Sequence, residues 1–146
     1  MATIPLVDQG TLNRLVTHVI FPNNSTLNAT ASYMGRRQVE ITFDGNATTP
    51  IATATGATMS PEPYIQVNIV LNLLKTQGLS AAWRAQQELS SILGPVTVYL
   101  DATAFPEYNF NNAAILGPQQ LTGAGSDNDY TVRIVAYYPI NSNLYI

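Results

Sequence analysis

The chain has 146 residues, a net charge of −3 and no cysteine. Only 10% of its residues are charged, whereas a typical soluble domain has about 25%. This length fits one domain spanning residues 1–146, and the absence of cysteine excludes disulfides, thiolate nucleophiles and cysteine-ligated zinc sites. Because a surface so poor in charge protects a lone monomer badly against association, we expect neighbouring molecules to cover part of it.

The basic residues and the apolar runs argue against two further classes of protein. Arg36 and Arg37 are the only adjacent pair of bases, whereas proteins that grip nucleic acid present a basic stripe. The longest apolar run is far shorter than the roughly 20 residues of a membrane-spanning helix, and the first ten residues lack the features of a signal peptide. We therefore expect no tight binding to nucleic acid, no membrane span and a protein that is made and kept in a cytoplasm.

Apolar and polar residues alternate with a period of two along most of the chain, which is typical of half-buried β-strands. The alternation is clear in four segments and weaker in three more, namely 38–45, 64–74, 96–101 and 129–138, then 12–21, 27–34 and 108–116. Turns rich in Gly, Pro and Asn join these segments. The sequence therefore predicts a mainly β protein, an antiparallel β-sandwich or barrel of about seven strands.

Residues 45–63 interrupt this pattern with a long stretch that carries no charge before Glu62. Loops of this length inside a compact domain are uncommon and are usually functional or disordered. Two interpretations stay open. The stretch is either a floppy surface loop or a protruding hairpin that becomes ordered against a neighbour, since Thr and Ile favour strands.

One segment has the periodicity of a helix. Its apolar residues recur at three- and four-residue spacing, at Ala82, Ala85, Leu89, Ile92 and Leu93. Ser80 is expected to cap its N-terminus, Gly94 to take a left-handed conformation at its end, and Pro95 to prevent its continuation. The sequence therefore predicts a single α-helix on the flank of the sheet, from about Ser80 to Leu93.

Strand parity and position on the helix also predict the core. The expected members all have apolar side chains that point towards the same side of their element: Val39, Ile41, Phe43, Val67, Ile69, Leu71, Trp83, Leu89, Val98, Val132 and Ile134. If Leu89 is close-packed, its replacement by alanine should cost about 2–5 kcal/mol.

The sequence contains no recognisable catalytic or metal-binding pattern. His18 is the only histidine, and its parity with Val16 and Ile20 indicates a packed or hydrogen-bonded side chain. No P-loop, G-x-G-x-x-G, H-E-x-x-H or EF-hand spacing occurs, and nothing local brings a nucleophile and an acid to His18. We predict that the protein is not an enzyme and has no catalytic residue, bound metal or cofactor.

Residues 65–115 show a distinctive order of elements. A strand (IQVNIVLNLL) precedes a helix (GLSAAWRAQQ), a stop that leads into a strand (SSILGPVTV), and an aromatic and asparagine-rich strand (FPEYNFNNAAILG). This order resembles the core of tail tube proteins of contractile-tailed bacteriophages and of their tube-like baseplate relatives. The later strand YTVRIVAYY fits the same layout. The resemblance covers roughly a third of the chain and leaves open whether it forms the bulk of a tube or a specialised end ring.

The resemblance implies a structural virion protein. Six copies would form a ring, and rings would stack into a hollow tube through which DNA passes during genome ejection without being bound tightly. The implied partners are further copies of the chain and, where they are present, sheath, baseplate and tail terminator proteins. The implied location is the tail of the virion, assembled in the host cytoplasm.

If six subunits surround a channel, the polar faces of the two clearest amphipathic strands should line it. Parity selects Gln38, Glu40, Thr42, Asp44, Gln66, Asn68 and Asn72. This set contains two acids and no base, so rings of it would repel the phosphates of a passing duplex.

A β-sandwich binding or adhesion module, such as a fibre, pilin-like or carbohydrate-binding domain, is the alternative. A carbohydrate module would use aromatic side chains as platforms, and Tyr64, Tyr99, Tyr108, Tyr137 and Tyr138 are available. The mass in solution separates the two hypotheses, because a module should stay monomeric whereas a tube subunit should form rings or polymers.

Overall fold

The structure is a computed structural model that describes residues 7–116 and 120–144. Within these residues the chain forms nine strands, one α-helix and two short 3₁₀ turns. In chain order they are β1 (His18–Ile20), the turns Ser25–Leu27 and Ala31–Tyr33, β2 (Met34–Asp44), β3 (Thr48–Ala52), β4 (Ala57–Pro61), β5 (Tyr64–Leu74), α1 (Gly78–Leu89), β6 (Ile92–Tyr99), β7 (Glu107–Ile115), β8 (Gln120–Leu121) and β9 (Asp129–Pro139). The mainly β fold with one helix that the sequence predicts is confirmed.

Seven of the described strands form one antiparallel sheet. Its order is β1-β6-β7-β9-β5-β2, and β8 pairs with the beginning of β9. The remaining two, β3 and β4, pair with each other in a separate hairpin. The three weaker strand predictions have different outcomes. The segment 12–21 contains only the three residues of β1, and the segment 27–34 consists mainly of 3₁₀ turns. The segment 108–116 corresponds to β7.

The sheet has one buried face and one open face. The inner face carries Val67, Ile69 and Leu71 of β5, which are fully buried. Val98 of β6 and Val132 and Ile134 of β9 are also fully buried, so the predicted core positions on β5, β6 and β9 are confirmed. The outer face carries the alternate residues, because successive side chains of a strand point to opposite sides.

The helix and the chain between β1 and β2 form the second layer over the inner face. Trp83 of α1 is fully buried, and its ring meets that of Phe21 edge-to-face with 5.1 Å between centroids. Leu27 from the first 3₁₀ turn is buried in the same cluster. The single α-helix of the described residues therefore closes the core of the sheet. In the described residues no helix is both long and apolar enough to cross a membrane.

The boundaries of α1 differ from the prediction. The helix begins at Gly78 with Gln77 as its N-cap residue, so Ser80 lies inside the first turn, where its hydroxyl donates to the Leu74 carbonyl at 2.8 Å. The helix ends at Leu89 because Ser90 is extended, with φ −162°. Strand β6 then starts at Ile92, so Leu93 is buried as a strand residue.

Leu89 is 83% exposed, so its predicted place in the core is wrong. Trp83 sets the buried side of the helix, and Leu79 and Ala82 pack beside it. At 3.6 residues per turn, the six residues from Trp83 to Leu89 rotate the side chain to about 120° away from that side. The apolar stripe in the sequence therefore combined residues of α1 with Ile92 and Leu93, which belong to the beginning of β6.

Gly94 has the predicted left-handed conformation, with φ +81°, but in a different element. It lies within β6, where the pairing with β7 shifts on both sides of it. The backbone therefore bends at a β-bulge, a common place for glycine in this conformation. A side chain at Gly94 would also meet the amide of Asn23.

The apolar residues of β2 are covered less well than those of β5. Val39 and Ile41 are partly buried, while Phe43 is 43% exposed and its predicted burial is wrong. The reason is that β2 is an edge strand, with β5 as its single neighbour in the sheet among the described strands. Phe43 still meets Tyr108 and Tyr138 edge-to-face, with centroids 5.8 and 6.1 Å away.

Candidate functional site

A two-stranded hairpin, here named the arm, consists of β3, residues 53–56 and β4. Its register runs from Thr48 opposite Pro61 to Ala52 opposite Ala57, and at the tip the Thr53 N–H donates to the Gly56 carbonyl at 2.8 Å. In the part of the chain that the structure describes, the arm pairs with no other strand. Residues 48–61 therefore form a hairpin, and its ordering against a neighbour stays a prediction.

The arm is exposed and uncharged. Ile51 is 53% and Met59 63% exposed, and residues 45–61 include no Asp, Glu, Lys or Arg. Isolated two-stranded hairpins are marginally stable in water. Ile51 lies opposite Thr58 and Met59 opposite Pro50, so the two apolar side chains point to opposite faces of the arm and both faces expose apolar surface. The composition of the arm suits contact with another protein surface better than permanent exposure to solvent.

The base of the arm is held by Asn141. Its side-chain amide donates to the Glu62 carbonyl at 2.7 Å and to the Ala47 carbonyl at 3.1 Å, and the Glu62 N–H donates to that same Ala47 carbonyl at 2.9 Å. Asn141 has φ +56°, a left-handed conformation that asparagine tolerates better than most residues. Sequence reasoning missed this residue because its partners are 79 and 94 positions away.

Five of the predicted lumen residues come together on the outer face. Strand register places Thr42 opposite Asn68 and Asp44 opposite Gln66, and it places Glu40 opposite Val70. These side chains share the face by alternation, as the sequence predicts. They form a polar half of the outer face, made by β2 and β5.

The other two predicted lumen residues are arranged differently. Asn72 is only 1% exposed, and its amide donates to the Gln38 carbonyl at 3.3 Å. The pairing of β2 with β5 shifts between Met34 and Val39, and this irregularity brings Gln38 over Asn72. Gln38 is half-buried and donates from Nε2 to the Arg14 carbonyl at 2.8 Å. Asn72 therefore does not reach the surface, and that prediction is corrected.

The outer face also carries a base that the parity argument omitted. Arg133 of β9 lies opposite Val70, one strand beyond the predicted set, and it is exposed. On β2 itself, Arg37 Nε lies 3.5 Å from Glu40 Oε1 in an exposed ion pair. The polar half is therefore acidic only at its β2 margin, since the neighbouring strand supplies a positive charge.

A row of apolar residues crosses the outer face of β6, β7 and β9, where polar residues such as Thr97, Asn109 and Thr131 share the same face. Ile92, Ala114 and Val135 follow one another across β6, β7 and β9, and Ile92 is 68% exposed. Leu116 is 53% exposed and its N–H donates to the Arg133 carbonyl at 2.9 Å. An exposed apolar row of this kind suggests that a protein neighbour covers it.

Three of the six basic residues of the chain line one groove, here named the arginine groove. They are Arg14, Arg36 and Arg37, and the groove wall also includes Asp101 and Gln38. The contact from Gln38 to the Arg14 backbone and a bond from the Asn13 N–H to the Asp101 carbonyl at 3.4 Å bring the N-terminal segment there. The sequence shows only the adjacent pair, since the fold supplies Arg14.

The tyrosines of the alternative hypothesis do not form one platform. Tyr64 packs against Tyr137 with centroids 5.6 Å apart, while Tyr108 and Tyr138 pack together in the cluster around Phe43. Tyr99 stacks on His18 at 4.2 Å.

His18 is hydrogen-bonded and packed against an aromatic ring, as expected, but it does not lie on the buried side of β1: Val19 and Phe21 are fully buried, whereas His18 is half-buried. The His18 Nδ1 lies 2.6 Å from the Val16 carbonyl and donates to it. No group of three or more His, Asp or Glu side chains in residues 7–116 and 120–144 is placed to hold a metal ion.

Two titratable groups have shifted pKa values with structural causes. The pKa of Asp127 is lowered, first because its carboxylate accepts from the Asp129 N–H at 3.0 Å. The pKa of Tyr130 is raised, first because burial disfavours the charged phenolate. Both causes are structural, and neither group lies beside the arm.

Comparison with known proteins gives one similar structure. No family model matches the chain, and no curated protein matches it. The solved structure is described as "Cryo-EM structure of the anti-feeding prophage cap (AFP tube terminating cap)". It is 13% identical, with a TM-score of 0.47, over 93% of this chain and 92% of that chain. At this identity and TM-score, the likeness assigns neither a family nor a function.

Proposed function

We propose that the protein is a structural subunit without enzymatic activity, which assembles with copies of itself into rings that stack into a hollow tail tube or its end ring. The observation that carries the proposal is the exposed and uncharged arm. It offers two hydrogen-bonding edges and the apolar side chains of Ile51 and Met59. Such edges invite pairing with another chain unless charge, proline or a covering segment blocks them. The arm has no charge, and Pro50 removes one N–H group from β3 and Pro61 one from β4, so pairing would use the other backbone groups of these strands.

Three further features support association with other copies. The long edge strand β2 leaves its outer edge without a partner strand among the described residues. The outer face has exposed apolar residues, among them Ile92 and Leu116, and charged residues are few. The resemblance of residues 65–115 to tail tube proteins adds the specific architecture of six-membered rings, which the arm alone does not define.

The polar half of the outer face is the proposed channel wall. Glu40, Thr42, Asp44, Gln66 and Asn68 would line it, with Gln38 at its margin. Amides and hydroxyls keep a passing duplex hydrated, and acids repel its phosphates at distances below about 8 Å at physiological salt. Arg133 reduces this repulsion towards β9. In this proposal, sheath, baseplate and terminator proteins bind the outside or the ends.

Negative-stain microscopy of the purified protein, combined with its mass in solution, tests the proposal. Rings or tubes are expected. Replacing Ile51 and Met59 together by serine should abolish them while the subunit stays folded, because both side chains are exposed in the single chain. The matched control is Thr58→Ser, which changes the same arm opposite Ile51 without removing a large apolar group. A wild-type protein that remains monomeric at all concentrations would instead favour a binding module.

The channel assignment has its own test. Glu40→Lys combined with Thr42→Lys should leave the subunit folded, since both positions are exposed and lie outside the grooves at the two ends of β2, and should slow DNA ejection from an intact particle. A structure of the assembly that places both residues on its outside would refute this assignment while leaving the tube itself in place.

A further inference from the structure

The arginine groove has an excess of positive charge that the chain itself does not neutralise. Arg37 has an ion pair with Glu40, but no ion pair involves Arg14 or Arg36 in the described residues. Asp101 is the single acid in the wall of the groove. In a chain with a net charge of −3, gathering half of the bases in one groove leaves the rest of the surface more acidic still.

A second groove has the opposite character. It lies at the base of the arm, here named the acidic cleft, and its wall contains Asp44 and Glu62 without any base. Amide and hydroxyl groups of Asn46, Thr49 and Gln66 complete the wall. Thr49 donates to Glu62 Oε1 at 2.6 Å, which orients that carboxylate without neutralising it.

The two grooves lie at opposite ends of one strand. Arg36 and Arg37 are near the beginning of β2, and Asp44 is its last residue. At about 3.3 Å per residue, the seven positions from Arg37 to Asp44 span about 23 Å. This distance is well beyond the screening length of about 8 Å at physiological salt, so the two charged sites cannot compensate each other within one chain.

We propose that the arginine groove receives the acidic cleft of a second copy of this chain, in a head-to-tail contact. The argument is charge complementarity, which specifies partners and register across an interface. Because the two sites lie at different places on the subunit, the contact is heterologous, and such contacts build rings or open-ended stacks rather than closed dimers. The inference rests on the proposed self-assembly and adds which surfaces meet.

Reversing the charges of each site separately, and then mixing the two variants, tests the contact. The first variant combines Arg14→Glu with Arg36→Glu, and the second combines Asp44→Lys with Glu62→Lys. Neither should associate alone, because each then presents like charges at both sites. An equimolar mixture should associate, since each variant offers the site that the other needs. This rescue also shows that both variants are folded.

The matched control is Arg84→Glu, which reverses a base on the exposed face of α1, where Arg84 lies 3.5 Å from Glu88. It should associate as the wild type does. Sedimentation of the wild type at about 0.1 M and about 1 M salt gives a second readout. The screening length falls from about 10 Å to about 3 Å between them, so association should weaken by roughly tenfold or more.

The outcomes separate this inference from the proposed function. Association that is independent of salt, together with reversed variants that assemble alone, would overturn the contact and leave the tube subunit standing. A wild type that does not associate at either salt concentration overturns both.

Discussion

Strands β2 and β5 are neighbours, have the same length and show the same alternation, yet the structure uses them differently. Each has eleven residues, and Ile41 lies directly opposite Ile69. Ile69 is fully buried, whereas Ile41 is only partly buried and Phe43 is 43% exposed. The difference is that, among the described strands, β5 has a neighbour on both sides and β2 on one side. Alternation therefore tells which face a side chain takes, and the number of neighbours decides how completely it is covered.

This comparison explains why β2 is the place to look for a second molecule. An edge strand with a half-covered apolar face exposes unpaired backbone groups and apolar side chains together. The arm continues from β2 and leads into β5, so the exposed edge and the arm form one continuous region. In an assembly, a second molecule would cover the exposed edge of β2, as β9 covers the corresponding edge of β5 within the fold.

The largest expected effect comes from alanine substitution of the two isoleucines that lie opposite each other, Ile69 on β5 and Ile41 on β2. Ile69→Ala should lower the free energy of unfolding by about 2–5 kcal/mol, because the cavity is fully enclosed. Ile41→Ala makes the same chemical change on the same face and should cost only about 1 kcal/mol, since less apolar surface leaves the interior. Urea denaturation of the monomer measures both. Equal losses would show that the edge strand is as well packed as its neighbour.

The second prediction concerns the beginning of β2, where Met34 and Gly35 are buried. Gly35 has the Asp129 carboxylate where a side chain would lie, so Gly35→Ala should cost about 1–3 kcal/mol through overpacking. Gly56→Ala, at the arm tip with open space around it, is the control. It should change stability by less than about 1 kcal/mol, and with a favourable sign if the chain entropy of the unfolded state dominates. A tolerated Gly35→Ala would show that Asp129 moves aside at little cost.

Much of this architecture follows from the sequence alone, for reasons that particular residues make clear. Val67 and Ile134 lie on interior strands, where parity and burial coincide, and both are placed correctly. Phe43 fails because strand order is a tertiary property that no local pattern encodes. Leu89 fails because the helix ends at an extended Ser90, and its apparent continuation is the start of β6.

The predictions for the candidate site also succeed where they depend on local alternation and fail where they depend on tertiary contacts. Register confirms that Thr42 and Asn68 face each other, since both strands keep their alternation. Asn72 fails because the irregularity in β2 covers it with Gln38. Arg14 and Asn141 were missed because their roles depend on contacts between distant segments. Long-range contacts of this kind leave no periodic trace in the sequence.

The third prediction compares the arm in two states. Amide hydrogen exchange in residues 45–63 should be fast in the isolated subunit and slow in an assembly, whereas β5 should be protected in both. Ordering costs about 1–2 kcal/mol of backbone entropy per residue, and the arm has few internal contacts to offset this cost beyond its own ladder and the Asn141 bonds. Equal protection of the arm in both states would contradict its role at an interface, as would a variant lacking the arm that still assembles.

The smallest expected effect concerns Leu89, which the sequence pattern places in the core and the structure leaves exposed. Leu89→Ala should change the free energy of unfolding by less than about 0.5 kcal/mol, as exposed substitutions usually do, because Leu89 is 83% exposed. Leu93→Ala, four residues later, removes the same atoms from a side chain that is 1% exposed and should cost about 2–5 kcal/mol. Thermal or urea unfolding of both variants at low protein concentration keeps the measurement on the single chain. A loss of well over 1 kcal/mol at Leu89 would mean that the helix packs more closely against the sheet than the structure shows. If Leu89→Ala is neutral in the monomer but weakens the assembled state, this exposed end of the helix is itself covered by a neighbour.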